Sequence, residues 1–188
     1  MALRGLPIVL LLLFPLMASS HNFVNGQRAA PVDITDRGEL VLDNDGIRYE
    51  NWHSAQLAGK VRVMQYIAGR TSAKKKNSML IQAIEDAHFP NDRFQPTTIV
   101  NTDDAIPGSG LFVRGKIEKN KRRYPWAQFV IDSFGLGRQA WRLNEASSTI
   151  VVLDKDGRVQ WAKDGALTAG EVDQVIALVQ KLLDKSPS

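Results

Sequence analysis

Between Val61 and Ile84 the chain changes its hydrophobic period once, and it does so across a polar loop that contains no sulfur. Val61, Val63 and Ile67 recur at even spacing beside Met64 and Tyr66, the pattern of a strand in a sheet covered on both faces. Gly69 ends that strand. A helix is expected over residues 73–87, with Thr71 or Ser72 as its cap through a bond to a free backbone amide. Leu80, Ala83, Ile84 and Ala87 fall on one face of it, and Phe89-Pro90 closes it. The free amides at the helix start carry partial positive charge. Arg70, Lys74, Lys75 and Lys76 add full charges beside them, so an anion would find both there. A solvated basic turn with ordinary capping accounts for the same residues.

The first twenty residues have the form of a secretory leader. Arg4 supplies the positive start, an apolar run extends over residues 6–17, and Ala18-Ser19-Ser20 sets small residues before His21. The apolar run is too short to span a bilayer in the usual way. Cleavage is expected after Ser20, which makes His21 the new amino terminus, and no stable membrane insertion follows. With no cysteine anywhere in its 188 residues, the chain forms no disulfide, carries no lipoprotein anchor and does no thiol chemistry. A periplasmic location is expected. The formal charge of +4 is too mild and too scattered to indicate nucleic acid.

Residues 21–185 read as one domain, with a frayed tail at 186–188. After an extended lead-in over residues 21–32, Gly38–Leu42 and Ile47–Tyr49 flank Asp43-Asn44-Asp45-Gly46 as a hairpin. A short helical turn is expected at residues 54–57. Thr97-Thr98-Ile99-Val100-Asn101 is a β-branched strand. A weaker helix, interrupted by Gly115, is expected over residues 111–123. A strand containing Phe129, Val130 and Ile131 and a short helix with Trp141 come next. Residues 149–153 and 158–162 form a second hairpin around Asp154-Lys155-Asp156-Gly157. Thr168 and Glu171 then write a capping box before a helix with Val172, Val175, Ile176, Val179, Leu182 and Leu183 on one face. Strands separated by helices need crossovers and pair in parallel, while the hairpins add antiparallel strands. The expectation is an α/β mixed sheet flanked by helices on both faces. Its ligand rim lies at the carboxyl ends of the strands: residues 69–74, residues 101–104 and the segment before Thr149.

That order resembles the thioredoxin fold in its peroxiredoxin-like and periplasmic thiol-reductase variants. The stretches ITDRGELVLD, GKVRVMQYIAGRTSAK, TTIVNTDDAIPGSG and TIVVLDKDGRVQWAKDGAL resemble more narrowly the YtfJ family of periplasmic proteins, over essentially the whole chain. The resemblance implies a thioredoxin-like fold and no established activity. In it the redox motif would fall at residues 70–74, which hold no sulfur, and the substrate-contacting cis-proline would fall at Ser148. No catalytic residue carries over, and thiol oxidoreductase or peroxidase chemistry is excluded.

Other chemistry has thin support. Thr71 or Ser72 as a nucleophile needs a histidine or lysine base, and His21, His53 and His88 form no evident triad. Asn101, Asp103 and Asp104 end a strand and could hold a hard cation, yet a paired acid lacks the full ligand set. Neither a metal nor a cofactor is expected. Asp154-Lys155-Asp156-Gly157 lacks the downstream glutamate of a calcium loop, and a hairpin turn explains it. Lys116, Lys119, Lys121, Arg122 and Arg123, with Tyr124 and Trp126 after them, could meet anionic headgroups or an acidic partner. A solvated helix face with Trp126 in the core accounts for them as well. The expected function is a non-catalytic binding module for a periplasmic protein, a peptide or a small anionic ligand. Its rim would be built from Arg70, Thr71, Ser72, Lys74, Asn101, Asp103 and Ser148. The rival is a non-thiol enzyme, hydrolytic or metal-assisted, using the loops around Thr71 and Asp103.

Overall fold

The computed structural model describes residues 21–185, so the expected leader and tail lie outside the described residues. The elements follow in the order β1 (Asp33–Asp43), β2 (Gly46–His53), a 3-10 turn (Ser54–Leu57), β3 (Arg62–Ala68), α1 (Thr71–Lys75), α2 (Ser78–Ala87), β4 (Thr97–Asn101), α3 (Gly110–Arg123), β5 (Gln128–Asp132), α4 (Leu136–Trp141), β6 (Ser148–Leu153), β7 (Val159–Asp164) and α5 (Ala169–Asp184). The strands form one seven-stranded sheet in the order β2-β1-β5-β4-β3-β6-β7. β3, β4 and β5 are parallel, as crossovers through α1–α2 and α3 require. β6 runs antiparallel to β3 and carries β7, and β1 lies antiparallel on β5 with β2 at the edge.

Alternation along each strand divides the core between the two faces. Met64, Tyr66, Ile99, Val130, Val151 and Leu153 point one way and pack with Trp141 of α4 and with Phe23 and Val32 of the lead-in. Val63, Ile150 and Val152 point the other way and meet α2 and α5 through Leu80, Ile84, Val175 and Val179. On that same face Ile67, Val100 and Ile131 meet α3 through Ile117. The three longest helices therefore cover one face. The lead-in, the 3-10 turn and α4 cover the other. Among the described residues no helix is long and apolar enough to cross a membrane.

A buried polar seam runs under the helical face between its two apolar clusters. Gln65 donates to the Thr98 hydroxyl at 2.8 Å, while Asn77 donates to Gln65 at 2.8 Å and to the Ser148 hydroxyl at 2.6 Å. Asn77 is 2% exposed. Drawing its amide inward breaks the expected helix over residues 73–87 into α1 and α2, with Asn77 outside helical geometry at the start of α2. The expected caps are overturned too. Arg70, in extended conformation, holds the cap position of α1 with no side-chain bond, and Thr71 and Ser72 are inside the helix.

Two further expectations give way at α3. Gly115 does not interrupt it. Trp126 is 45% exposed and outside the core. Lys121 turns inward instead, donating to the carbonyls of Pro125 at 2.9 Å and Ala127 at 2.8 Å and so satisfying acceptors beyond the helix end. Burial lowers its pKa below the ordinary lysine value. At the opposite end of the sheet from the rim, Arg62 is buried and donates to five acceptors: the carbonyls of Gln56 and Leu57 and the side chains of Gln95, Thr97 and Gln128. Burial without a touching carboxylate lowers its pKa to about 10.

Candidate functional site

Register brings the separate rim segments to one edge. Ala68 of β3 pairs with Asn101 of β4, Asn101 with Asp132 of β5, and Ile67 with Ser148 of β6. The loops leaving β3, β4 and β5 and the loop entering β6 therefore meet. Their backbones are stitched by Gly69 N–H to the Asn101 carbonyl (2.9 Å), Ala68 N–H to the Ser147 carbonyl (3.0 Å) and Thr102 N–H to the Asp132 carbonyl (3.1 Å). Gly69 has no room for more: a Cβ there would lie 3.2 Å from the Asn101 carbonyl oxygen and from Ala105 Cβ.

Arg70 reaches across this edge. Its Nε donates to the Asp104 carbonyl at 2.9 Å and to Asp104 Oδ1 at 3.1 Å, and its Nη2 lies 2.9 Å from the same oxygen. The other carboxylate oxygen of Asp104 accepts the backbone N–H of Ala146. One carboxylate thus ties three loops. Asn101 is buried, and its side-chain oxygen accepts the backbone N–H groups of Asp103 and Asp104 at 3.1 and 3.3 Å, folding the loop over the strand end. Thr71, Ser72, Lys74, Lys75 and Asp103 stand exposed. Lys76 donates to the Ser147 hydroxyl at 3.2 Å. Ser148 lies beneath the rim, 1% exposed, with its hydroxyl taken by Asn77.

The loop after β5 is shaped from below. Asp132 is fully buried and accepts the N–H groups of Leu136 at 3.0 Å and Gly137 at 2.8 Å, the free amides of the first turn of α4. Tyr66 donates its hydroxyl to Asp132 Oδ2 at 2.8 Å, and the Tyr66 oxygen accepts Arg138 N–H at 3.0 Å. Burial first, then the neighbouring carboxylate, raise the Tyr66 pKa far above the ordinary phenol. Gly135 has φ +63°, and a Cβ there would stand 3.3 Å from the Asn101 amide, so this turn is built for glycine.

Five large apolar side chains stand exposed where the chain leaves β4 and β5, on the connecting loops and the first turns of α3 and α4: Ile106, Leu111 (74%), Phe112, Phe134 (58%) and Leu136. Sequence reasoning passed over them. The available signal was bulky apolar residues flanking Pro-Gly-Ser-Gly and set inside Ser-Phe-Gly-Leu-Gly, where turns leave no interior to receive them. Beside them a groove of about 310 Å³ is lined by Arg37, Thr102, Gly110, Leu111, Arg114 and Ile131. A larger, shallower cleft of about 580 Å³ lies between α2 and α5, away from the rim, with Ala83, Asp86, Ile176 and Gln180 among its lining residues.

The rim offers cations and apolar surface. Histidines are elsewhere: His53 contacts Asp33 at 2.8 Å, His88 lies 2.8 Å from the Asp86 carbonyl just beyond α2, and His21 packs against Phe23. Among the described residues no group of three or more His, Asp and Glu side chains is placed to hold a metal ion.

Seven strands in this order, with a strand–loop–helix at the centre and no sulfur in its loop, define a thioredoxin-fold protein without thiol chemistry. Solved structures agree on the fold. A putative protein disulfide isomerase from Bacteroides thetaiotaomicron superposes with a TM-score of 0.61 at 16% identity, covering 89% of this chain and 95% of its own. A thioredoxin-like superfamily protein superposes at 0.55 with 15% identity, covering 85% of this chain and 99% of its own. Residues 23–182 match the family described as "Bacterial protein of unknown function (YtfJ_HI0045)". The "Uncharacterized protein YtfJ" of Escherichia coli (strain K12) is 64% identical over 183 residues, 97% of this chain and 100% of that protein. The chain belongs to the YtfJ family.

Proposed function

We propose that this is an exported, periplasmic binding module that keeps the thioredoxin rim as a docking surface and has given up its redox chemistry. On this reading the leader is removed after Ser20, and the rim takes an extended peptide segment that carries acidic and apolar residues. The observation that carries it is the set of exposed apolar side chains Ile106, Leu111, Phe112, Phe134 and Leu136 at the carboxyl ends of β4 and β5, on the connecting loops and the first turns of α3 and α4. Apolar groups clustered on one edge and bordered by charge mark an interaction surface. The exposed Lys74 and Lys75 on α1, with Arg37 and Arg114 in the adjoining groove, supply the positive border. Buried aromatic anchors within a polar rim are the usual source of affinity in such contacts. The Arg70–Asp104 tie and the Asp132–Tyr66 support hold the loops in one arrangement before a partner arrives, which lowers the ordering cost of binding.

The test is an amide-shift titration of the mature protein with a panel of extended peptides that vary in acidic and aromatic content. Saturable shifts at residues 69–76 and 133–137, abolished by Phe134→Ser and weakened by Lys74→Glu, are expected. A panel that binds nowhere, or binds equally well to Phe134→Ser, refutes the rim.

A further inference from the structure

Asn22 ties the start of the lead-in to α4. Its backbone N–H donates to the Trp141 carbonyl at 3.1 Å, and its side-chain amide donates to the Ala140 carbonyl at 2.8 Å. Phe23 is buried with its ring 5.6 Å from that of Trp141, and Gly26 N–H bonds the Val159 carbonyl at 2.7 Å. The lead-in is thus fixed against α4 and β7 from its second described residue. At its head, the backbone nitrogen of His21 lies 3.5 Å from Asp164 Oδ2, at the end of β7. The Asp164 carboxylate is itself oriented, because Oδ1 accepts the Thr149 hydroxyl at 2.7 Å. The His21 ring packs 5.4 Å from Phe23, and its Nδ1 is shielded from solvent with no hydrogen-bond partner. A shielded ring nitrogen without a partner is uncommon and calls for an explanation.

Leader removal after Ser20, part of the functional reading on which this inference rests, changes the chemistry at that spot. The peptide nitrogen of His21, its lone pair held in amide resonance, becomes a primary amine with a lone pair to donate. An amino-terminal histidine presents two nitrogens, the amine and Nδ1, in position to close one chelate ring on a cation. Here a fixed carboxylate oxygen, Asp164 Oδ2, stands 3.5 Å from the nitrogen that becomes the amine. Neighbouring ligands held at about 2.0–2.2 Å from one metal ion lie about 3 Å apart, so the amine and the carboxylate oxygen need approach each other by only about half an ångström. Two nitrogens and one carboxylate oxygen, with open positions for water, suit the tetragonal preference of Cu(II), which also binds such donors most tightly among the divalent first-row ions.

We propose that the mature amino terminus is a Cu(II) site, ligated by the amine and Nδ1 of His21 and by Asp164. The site uses two ionisable side chains and one main-chain nitrogen, and the third ligand exists only after export. Thr149 orients the carboxylate from behind, the kind of support that ligating carboxylates commonly receive.

The experiment uses the exported, processed protein. Its amino-terminal residue is read first by sequencing and intact mass. It is then titrated with Cu(II) by calorimetry and electron paramagnetic resonance. The α-amine is probed with an acylating reagent with and without the metal. Expected are His21 as first residue, one tightly bound equivalent with nitrogen splitting in a tetragonal spectrum, and protection of the α-amine by copper. His21→Ala weakens binding about 100-fold and Asp164→Asn about tenfold, the range seen when the surroundings of a metal are altered. Circular dichroism of both variants, which leave the Phe23 anchor in place, verifies the fold. Binding unchanged in His21→Ala, or an α-amine still labelled under copper, overturns the site and assigns the metal to other surface groups. A first residue other than His21 overturns it as well, and that result traces the failure to the leader reading, leaving the rim to its own titration.

Discussion

Tyr66 and Asp132 meet 2.8 Å apart beneath the turn that carries Phe134 into α4, and the hydroxyl of one and the carboxylate of the other hold three successive amides of that helix. No other acceptor bonded to the Arg138 amide is seen, so Tyr66→Phe leaves it without a partner in a part-buried position. The expected cost is about 1–2 kcal/mol, read as a lowered urea midpoint at unchanged slope. The same variant should speed hydrogen exchange at residues 136–138 more than elsewhere.

Alkaline titration follows from the same environment. Tyr66 is raised far above the ordinary phenol value of 10.0 by burial and by Asp132, and Tyr49 is raised by burial and by its bond to Glu118. For each, the folded pKa lies above the unfolded one. The stability they contribute is therefore complete below pH 10 and is lost as pH rises beyond it, because the unfolded chain ionises first. Phenolate absorbance in the native protein should omit both residues at pH 11. Their ionisation should appear together with unfolding. Ionisation of Tyr49 and Tyr66 ahead of unfolding would contradict the buried arrangement.

The expectations that held and those that failed differ in the range of the interactions behind them. β4 was legible because five residues of β-branched or small polar character carry their own signal, and the capping box of Thr168 and Glu171 forms as read, with both reciprocal bonds present. The hairpins followed from their turn residues. What failed depended on partners far away in the chain. Asn77 breaks the central helix because Gln65 and Ser148, on two different strands, draw its amide inward. Thr71 and Ser72 are not caps because extended backbone at Arg70, tied to Asp104, already begins the helix. Lys121 rather than Trp126 goes inside because the carbonyls of Pro125 and Ala127 need donors, which no residue count reveals. The rim segments near Gly69, Asn101 and Ser148 were located by strand-end reasoning, but their division into exposed and buried members was not.

Arg62 concentrates more buried hydrogen bonding than any site resemblance suggested. Replacing it with methionine keeps much of the volume and leaves the acceptors of Gln56, Leu57, Gln95, Thr97 and Gln128 short of one donor group. A loss of about 3 kcal/mol is expected. Arg62→Lys should recover only part of it, since a single ammonium does not span acceptors set around a planar fork. Chemical denaturation of the two variants decides the point. Equal stability would show that the guanidinium is held by packing alone.

At the start of α5, Glu171 has a pKa lowered to about 2, first by its bond to Lys163 and then by the Thr168 amide. A carboxylate depressed in the fold stabilises it above its unfolded pKa of 4.5 and loses that contribution as pH falls toward 2. The difference in urea midpoint between wild type and Glu171→Gln should therefore be constant above about pH 5 and shrink through that window. Thr168→Ala removes the reciprocal partner and should cost about 1 kcal/mol at neutral pH.

Asp104 is the rim's common point, since it binds Arg70 through one oxygen and the Ala146 amide through the other. The pair is only partly shielded, with the Arg70 side chain 34% exposed, so its share of global stability is small, about 1 kcal/mol after solvent screening. Its effect on order is larger, because among the side-chain bonds described it alone joins all three loops, while the backbone stitches lie at the strand ends beneath. Asp104→Ala should leave the thermal midpoint within a few degrees of wild type. Hydrogen exchange should nonetheless rise together at residues 69–72, 102–106 and 144–147. Asp104→Asn keeps an acceptor for Ala146 while removing the charge opposite Arg70, so it should loosen the first two segments and spare the third. If exchange rises at only one loop in Asp104→Ala, the carboxylate does not couple the rim, and the preorganisation invoked for peptide binding must lie with Asp132 and Tyr66 alone.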